Sequence, residues 1–140
     1  MGADDLVNAS TVADIGALVH EMTGGAHVSV DCLGHESTMS AAIFGLRPLG
    51  RHVQIGLFPS ATADFPISRV IRDELEVLGV HGLSSSRFAE VFALITSGRL
   101  DLAPMITRTI SLDDLPDALP DMGGFANPGV TVVTSGLGGD

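Results

Sequence analysis

Short β-branched runs alternate along this chain with segments whose apolar residues recur at helical spacing. Residues 27–32 and 51–57 are such runs, and Gly34 and Gly56 stand near their carboxyl ends. Runs of this kind are typical of parallel strands, and glycine at a strand end lets a ligand approach the backbone. Residues 12–22, 37–46 and 87–97 carry apolar positions three and four apart, which predicts helices.

The remaining pattern predicts further short elements. Strands are expected at residues 3–8, 75–80, 105–112 and 130–134, and a turn at 47–50. Helices are expected to begin at Pro66 and to span 113–122. The serines Ser84, Ser85 and Ser86 are expected to cap the helix that follows them. The alternation predicts an α/β fold with a partial Rossmann-like parallel sheet. Neither G-x-G-x-x-G nor G-x-x-x-x-G-K-[ST] occurs, so the chain reads as the second half of a dinucleotide-binding fold.

This pattern also predicts how the chain is divided. Residues 1–104 form the partial nucleotide-binding domain, residues 105–135 return to another domain, and residues 136–140 are a frayed tail.

Composition excludes several classes of protein. The net charge of the 140 residues is -10, with seven arginines and no lysine, which disfavours nucleic acids and anionic membrane surfaces as partners. No apolar run approaches the ~20 residues of a membrane span, and the first residues lack the features of a signal peptide. The single cysteine fits a reducing compartment, so the chain is expected to be cytoplasmic.

Candidate catalytic and metal-binding groups are few. Cys32, His35 and Glu36 are adjacent in one turn, but zinc needs three or four convergent ligands, and no second cluster completes the set. We therefore predict no metal ligands and no catalytic residues in this chain. An S-adenosylmethionine site after Asp31 is rejected because the expected further glycines do not follow Gly34.

Seven motifs in order resemble the medium-chain, zinc-dependent alcohol dehydrogenase family. They are GADD at 2–5, LVHEMTGG at 18–25, VSVDCLG at 28–34, LRPLGRHVQIGL at 46–57, EVLGVHG at 76–82, ITSGRL at 95–100, and ISLD at 110–113 with Ala118 and Leu119. The resemblance implies the carboxyl-terminal portion of such an enzyme, from the third to the sixth strand of the cofactor domain and on into the segment that returns to the catalytic domain.

In the complete enzyme, the resemblance implies hydride transfer between an alcohol or carbonyl and NAD or NADP, assisted by a catalytic zinc. The strand ends implied to meet the cofactor are Asp31, Cys32, Leu33 and Gly34, then Gly56, Leu57 and Phe58, then Gly82, Leu83 and Ser84. The zinc ligands and the phosphate loop of the family do not occur in this chain, and residues 123–131 hold none of the basic residues that often meet the pyrophosphate. The chain alone is therefore expected to be inactive.

The resemblance also implies partners. The sixth strand commonly pairs with its copy in a second subunit, which here predicts a homo-oligomer through Glu76, Val77, Leu78, Gly79 and Val80. An upstream N-terminal polypeptide would supply the remaining parts. The alternative function is a non-catalytic α/β oligomerisation or interaction module.

Overall fold

The computed structural model describes residues 2–60, 62–120 and 129–135 and divides into two compact units. The first is Gly2–Leu83 and the second begins at Ser84. In the first unit, strands and helices alternate as α1 (Ile15–Thr23), β1 (Ala26–Asp31), α2 (Glu36–Phe44), β2 (Leu46–Gln54), α3 (Ile67–Arg72) and β3 (Glu76–Gly79). The domain boundary predicted at residue 104 refers to the domains of a larger enzyme rather than to these two units, so it stays a prediction.

The three strands of the first unit form a parallel sheet in the order β1-β2-β3. Val30 lies opposite Val53, which lies opposite Leu78. Parallel strands joined by helices confirm the α/β, Rossmann-like fold class.

The first helix starts later than its pattern predicts. Residues Ala9–Thr11 form a 3-10 turn, in which the Asn8 side chain accepts a hydrogen bond from the Ser10 N–H at 3.0 Å. Asp14 then caps α1 by accepting from the Ala17 N–H at 2.8 Å. The helix ends as predicted, at Gly24, whose φ of 69° is the left-handed conformation of a helix terminus.

Two strand-level predictions are wrong. Residues 3–8, predicted as a strand, form none and pair with none of the described strands. The predicted turn at 47–50 lies within β2 as a bulge: Ala26 pairs with Leu46, whereas Val28 already pairs with Arg51. The extra residues place Leu49 at a φ of 60° and let its N–H donate to the Asp73 carbonyl at 2.8 Å.

One face of this sheet is covered by helices and the other is not. A core of Met39, Ile43, Leu46 and Leu75 is buried in this unit, and on the strands Asp31 and His52 are also buried. Strand alternation sends Val28, Val30 and Leu78 to the opposite side, where they are 54%, 51% and 45% exposed. The uncovered face therefore combines these apolar side chains with the exposed ion pair of Arg51 and Glu76.

The second unit holds α4 (Phe88–Thr96), β4 (Ile106–Ser111), α5 (Leu115–Ala118) and β5 (Val130–Thr134), with β4 and β5 parallel. These elements follow the predicted order. The predicted serine cap of α4 is wrong, because a 3-10 turn precedes the helix and the Ser84 hydroxyl contacts that of Ser86 at 2.9 Å. The predicted tail and residues 121–128 lie outside the described residues. No helix in the described part of the chain is long and apolar enough to cross a membrane.

Candidate functional site at the carboxyl edge of the sheet

The three strands of the first unit end at a common edge. Asp31 lies opposite Gln54, which lies opposite Gly79. Two of the three predicted site segments, residues 31–34 and 56–58, begin at or just beyond this edge and contact one another. The third follows β3, although Ser84 already opens the second compact unit.

Asp31 organises the edge. Its Oδ1 accepts hydrogen bonds from the backbone N–H groups of Leu33 and Gly34 at 2.7 and 3.1 Å. Its Oδ2 accepts from the Thr38 hydroxyl at 3.1 Å and from the Gln54 side-chain amide at 3.2 Å. The carboxylate therefore fixes the turn after β1, the start of α2 and the end of β2 together.

These contacts also set the ionisation of Asp31, which is only 4% exposed. Burial on its own raises the pKa of this carboxyl, but donation from Gly34, Leu33, Gln54 and Thr38 outweighs burial and holds the pKa below its ordinary value. Asp31 is therefore an anion at neutral pH and acts here as an acceptor of hydrogen bonds.

The two glycines of the edge face each other. The backbone carbonyl of Asp31 accepts from the N–H groups of Ile55 and Gly56, both at 2.9 Å. A Cβ built on Gly34 would lie 2.3 Å from the Leu57 carbonyl oxygen, and one built on Gly56 would lie 2.1 Å from the Gly34 nitrogen. Glycine is needed at both positions because the turns after β1 and β2 touch through their backbones.

The side chains beside these glycines differ in exposure. Cys32 is exposed, and Leu33 and Leu57 are 60% and 73% exposed, so they stand at the rim of the edge. Phe58 instead packs partly buried against the core cluster of Met39, Ile43, Leu46 and Leu75. Its side chain is a core contact, which leaves its backbone as the part available at the edge.

The side chains next to Cys32 are engaged elsewhere. His35 Nδ1 contacts the Ser37 hydroxyl at 2.8 Å and accepts from the Ser37 N–H at 3.2 Å, which caps α2. Glu36 accepts from the Asp64 N–H at 2.9 Å. Among the described residues, no three His, Cys, Asp or Glu side chains converge in a way that could hold a metal ion.

Sequence reasoning missed a polar chain beneath the edge. Hydrogen bonds link Ser29 to His52 and His52 to Gln54 on the buried side of β1 and β2. The signal that could have found them is the presence of polar residues at alternate positions of β2, opposite Ser29 and Asp31, where a covered sheet face is ordinarily apolar.

A separate open groove of about 910 Å³ lies between α1 and α2 and contains none of the predicted site residues. Its walls include Ile15, Ala17, Ala41 and Phe44.

The fold and the edge together define a parallel-stranded α/β unit of the Rossmann type. The model of a family described as zinc-binding dehydrogenase matches residues 1–97, so the chain belongs to that family, as its motifs predict.

Individual relatives agree. The chain is 28% identical over 125 residues to L-idonate 5-dehydrogenase of Vitis vinifera, a match that covers 84% of this chain and 34% of the relative. It is 26% identical over 133 residues to an NAD-dependent alcohol dehydrogenase of Sulfurisphaera tokodaii, which covers 94% and 38%. The structure of 2R,3R-butanediol dehydrogenase from Bacillus subtilis superposes with a TM-score of 0.79 at 23% identity, over 91% of this chain and 37% of that one. The chain thus spans about a third of the length of the proteins it matches.

Proposed function

We propose that this chain supplies the part of an alcohol-dehydrogenase-like oxidoreductase that receives the nicotinamide half of NAD or NADP. The complete enzyme would move a hydride between an alcohol or carbonyl carbon and that cofactor. The observation that carries the proposal is the pair of glycine turns, at Gly34 and Gly56, locked together by Asp31 at the carboxyl edge of a parallel sheet. In open α/β sheets, ligands bind outside the carboxyl ends of the strands.

The chemistry of the edge favours an aromatic ring over a phosphate. Leu33 and Leu57 expose apolar surface at the edge, and the three proposed contact segments contain no arginine. The nicotinamide ring, which is neutral in the reduced cofactor and a pyridinium cation in the oxidised one, can pack on such side chains. The proposed contacts are Asp31, Cys32, Leu33 and Gly34, then Gly56, Leu57 and Phe58, then Gly82, Leu83 and Ser84.

Zinc chemistry is not assigned to the described residues, because they form no cluster of three potential ligands. In zinc enzymes that act on alcohols, the metal polarises the substrate oxygen as a Lewis acid. If this chain takes part in such a reaction, an upstream polypeptide must contribute the ligands. The isolated chain is therefore proposed to be inactive.

The proposal can be tested by offering the two halves of the cofactor separately. We expect nicotinamide mononucleotide, added to the isotopically labelled full chain, to shift backbone amide resonances at residues 32–34 and 56–58. Adenosine monophosphate, which carries the same phosphate but no nicotinamide ring, should leave these resonances in place. Equal shifts from both nucleotides, or none from nicotinamide mononucleotide at the solubility limit, would contradict the proposal.

A matched pair of variants separates binding from folding. Leu57→Ser alters an exposed side chain at the edge and should weaken the response to nicotinamide mononucleotide. Leu6→Ser alters a side chain that is 90% exposed before α1 and should leave the response unchanged. Both variants should keep the circular dichroism of the parent chain.

A homo-oligomer is proposed as well, because β3 is exposed along its whole length. Each of its four residues is exposed, and β2 is its one partner strand within the described chain. Val77, Leu78 and Val80 add apolar surface that is 40%, 45% and 44% exposed. An unpaired strand edge is a template for another chain. A second copy can pair along Glu76, Val77, Leu78, Gly79 and Val80, and sedimentation of the purified chain tests this.

The other edge of the sheet suits a different partner. β1 pairs with β2 alone among the described strands, and Val28 and Val30 beside its open edge are half exposed. We propose that an upstream polypeptide with strands and helices of its own completes the sheet there. Co-expression with such a polypeptide should protect the β1 amides from hydrogen exchange.

A further inference from the structure

A chain of hydrogen bonds runs beneath the sheet from β1 to the two glycine turns. The Ser29 hydroxyl lies 3.0 Å from His52 Nδ1, and His52 Nε2 lies 3.1 Å from Gln54 Oε1. The Gln54 Nε2 group then donates twice, to Asp31 Oδ2 at 3.2 Å and to the Gly56 carbonyl at 2.9 Å. His52, in the middle of this chain, is completely buried.

The direction of each hydrogen bond follows from the two acceptors at the Gln54 end of the network. The Asp31 carboxylate and the Gly56 carbonyl can only accept, so the NH₂ group of Gln54 must face them. The Gln54 oxygen then faces His52, which requires the proton of the imidazole on Nε2. His52 Nδ1 is left to accept from the Ser29 hydroxyl. The Asp31 carboxylate and the Gly56 carbonyl therefore set the orientation of the Gln54 amide, and His52, backed by Ser29, satisfies its oxygen.

Gln54 adds a side-chain link between two turns that already meet through the Asp31 carbonyl. The Asp31 carboxylate carries the turn to Gly34 through Oδ1, and the Gly56 carbonyl belongs to the turn after β2. Leu33 and Leu57 lie on these two turns, so their separation depends on how the turns are held. A rotation of the Asp31 side chain would move Gly34, which has no room to move toward Leu57.

We propose that Gln54 is a positioning residue of the carboxyl-edge site. Its amide bonds to both glycine turns and so fixes their separation, and His52 and Ser29 complete the hydrogen bonding of that amide. This inference rests on the proposed function, since the edge concerned is the same. The ligand class is a nicotinamide nucleotide, and Gln54 acts on it only through the turns.

The first test needs no ligand. In Gln54→Met, which keeps an unbranched side chain of similar length, we expect the amide protons of Gly34 and Gly56 to exchange roughly tenfold faster, as for the loss of about one hydrogen bond. Ser29→Ala keeps Gln54 in place but leaves His52 Nδ1 without its donor, and should show the same pattern to a smaller extent. If Gln54→Met does not fold, Ser29→Ala decides the question.

The control is Val53→Ala, on the same strand but directed to the opposite sheet face. It should lower overall stability without selectively loosening the two glycines. Faster exchange at Gly34 and Gly56 in Gln54→Met, but not in Val53→Ala, supports the inference. Unchanged exchange in Gln54→Met, or equal acceleration in both variants after correction for overall stability, would overturn it.

The second test uses nicotinamide mononucleotide. If the parent chain responds to it, Gln54→Met should require roughly tenfold more nucleotide for the same shifts, the equivalent of 1.4 kcal/mol, and Val53→Ala should not. A response of Gln54→Met equal to that of the parent would contradict the positioning role. If the parent chain does not respond, the proposed function fails, and the exchange comparison still decides whether Gln54 holds the turns.

Discussion

Replacing Gly34 by alanine should be one of the most damaging single-methyl changes in this chain. Gly34 has a φ of 80°, and an added Cβ would lie 2.3 Å from the Leu57 carbonyl oxygen and 2.6 Å from its carbon. Both atoms are backbone, so no side-chain rotation can relieve the contact. The turn after β1 must move away from the turn after β2.

The cost can be worked out from the contacts that this movement breaks. A left-handed conformation costs a residue with a Cβ roughly 1–2 kcal/mol. Separation of the turns weakens the hydrogen bonds from Gly34 to the Asp31 carboxylate and from Gly56 to the Asp31 carbonyl, at about 1 kcal/mol each. We therefore expect Gly34→Ala to lower the free energy of unfolding by about 3–4 kcal/mol.

Urea unfolding followed by far-ultraviolet circular dichroism measures this change, because the chain has no Trp or Tyr to report by fluorescence. Gly79→Ala is the matched control at the same edge. An added Cβ at Gly79 meets no atom within 4 Å and its φ is not positive, so the free energy should stay within about 0.5 kcal/mol of the parent. A Gly34→Ala variant as stable as Gly79→Ala would refute the paired-turn geometry.

Three further outcomes are expected. The pKa of Asp31 is lowered in the folded chain, so its contribution to stability is present above the ordinary value of 3.8 and is lost as pH falls through the lowered pKa. When the free energy of unfolding is measured from pH 7 to pH 2, Asp31→Asn should therefore lose less stability toward low pH than the parent chain. The purified chain should sediment as a dimer or larger assembly, and Val77→Glu or Val30→Glu should shift it toward monomer or insoluble protein; monodisperse monomers for all three proteins would defeat this expectation. The isolated chain should hold no stoichiometric zinc by metal analysis and should bind NAD and NADP with dissociation constants weaker than ~1 mM by calorimetry, since a charge of -10 opposes their phosphates.

Periodicity predicted the positions of most elements well. The strands β1 and β5 and the helices α1, α2 and α4 lie close to their predicted positions, because their apolar residues recur at the spacing of a strand or a helix. This holds even for α4 and β5, which contain no buried residue. Prediction failed near the start of the chain. Residues 3–8 include Asp4 and Asp5, which disfavour a strand, and none of the described strands pairs with them.

Local signals misled at Pro48 and at Ser84. The sequence Arg47-Pro48-Leu49-Gly50 has turn composition, yet β2 absorbs it as a bulge because α3 supplies the Asp73 carbonyl as a partner for Leu49. Three consecutive serines suggest a helix cap, but the 3-10 turn before α4 leaves the Ser84 hydroxyl to contact Ser86. Such partners lie far from the motif in sequence or depend on the exact start of the helix, so no local pattern reports them.

The sequence predicts a site at the carboxyl ends of the strands, which stays a prediction, but it does not predict that the glycines there pack against each other. From the sequence, Gly34 and Gly56 are interpreted as positions where a ligand can approach the backbone. The structure gives a second reason for glycine at both positions, since a side chain at either would clash with the backbone of the opposite turn. These two requirements differ in their consequences. A glycine that only admits a ligand can be replaced with a loss of binding and little loss of stability, whereas Gly34 and Gly56 should cost stability even in the absence of cofactor. Conversely, a nicotinamide ring would contact the side chains of Leu33 and Leu57, which the paired turns expose. Binding and stability should therefore separate in these two pairs of residues: substitution of the leucines should affect binding first, and substitution of the glycines should affect folding first.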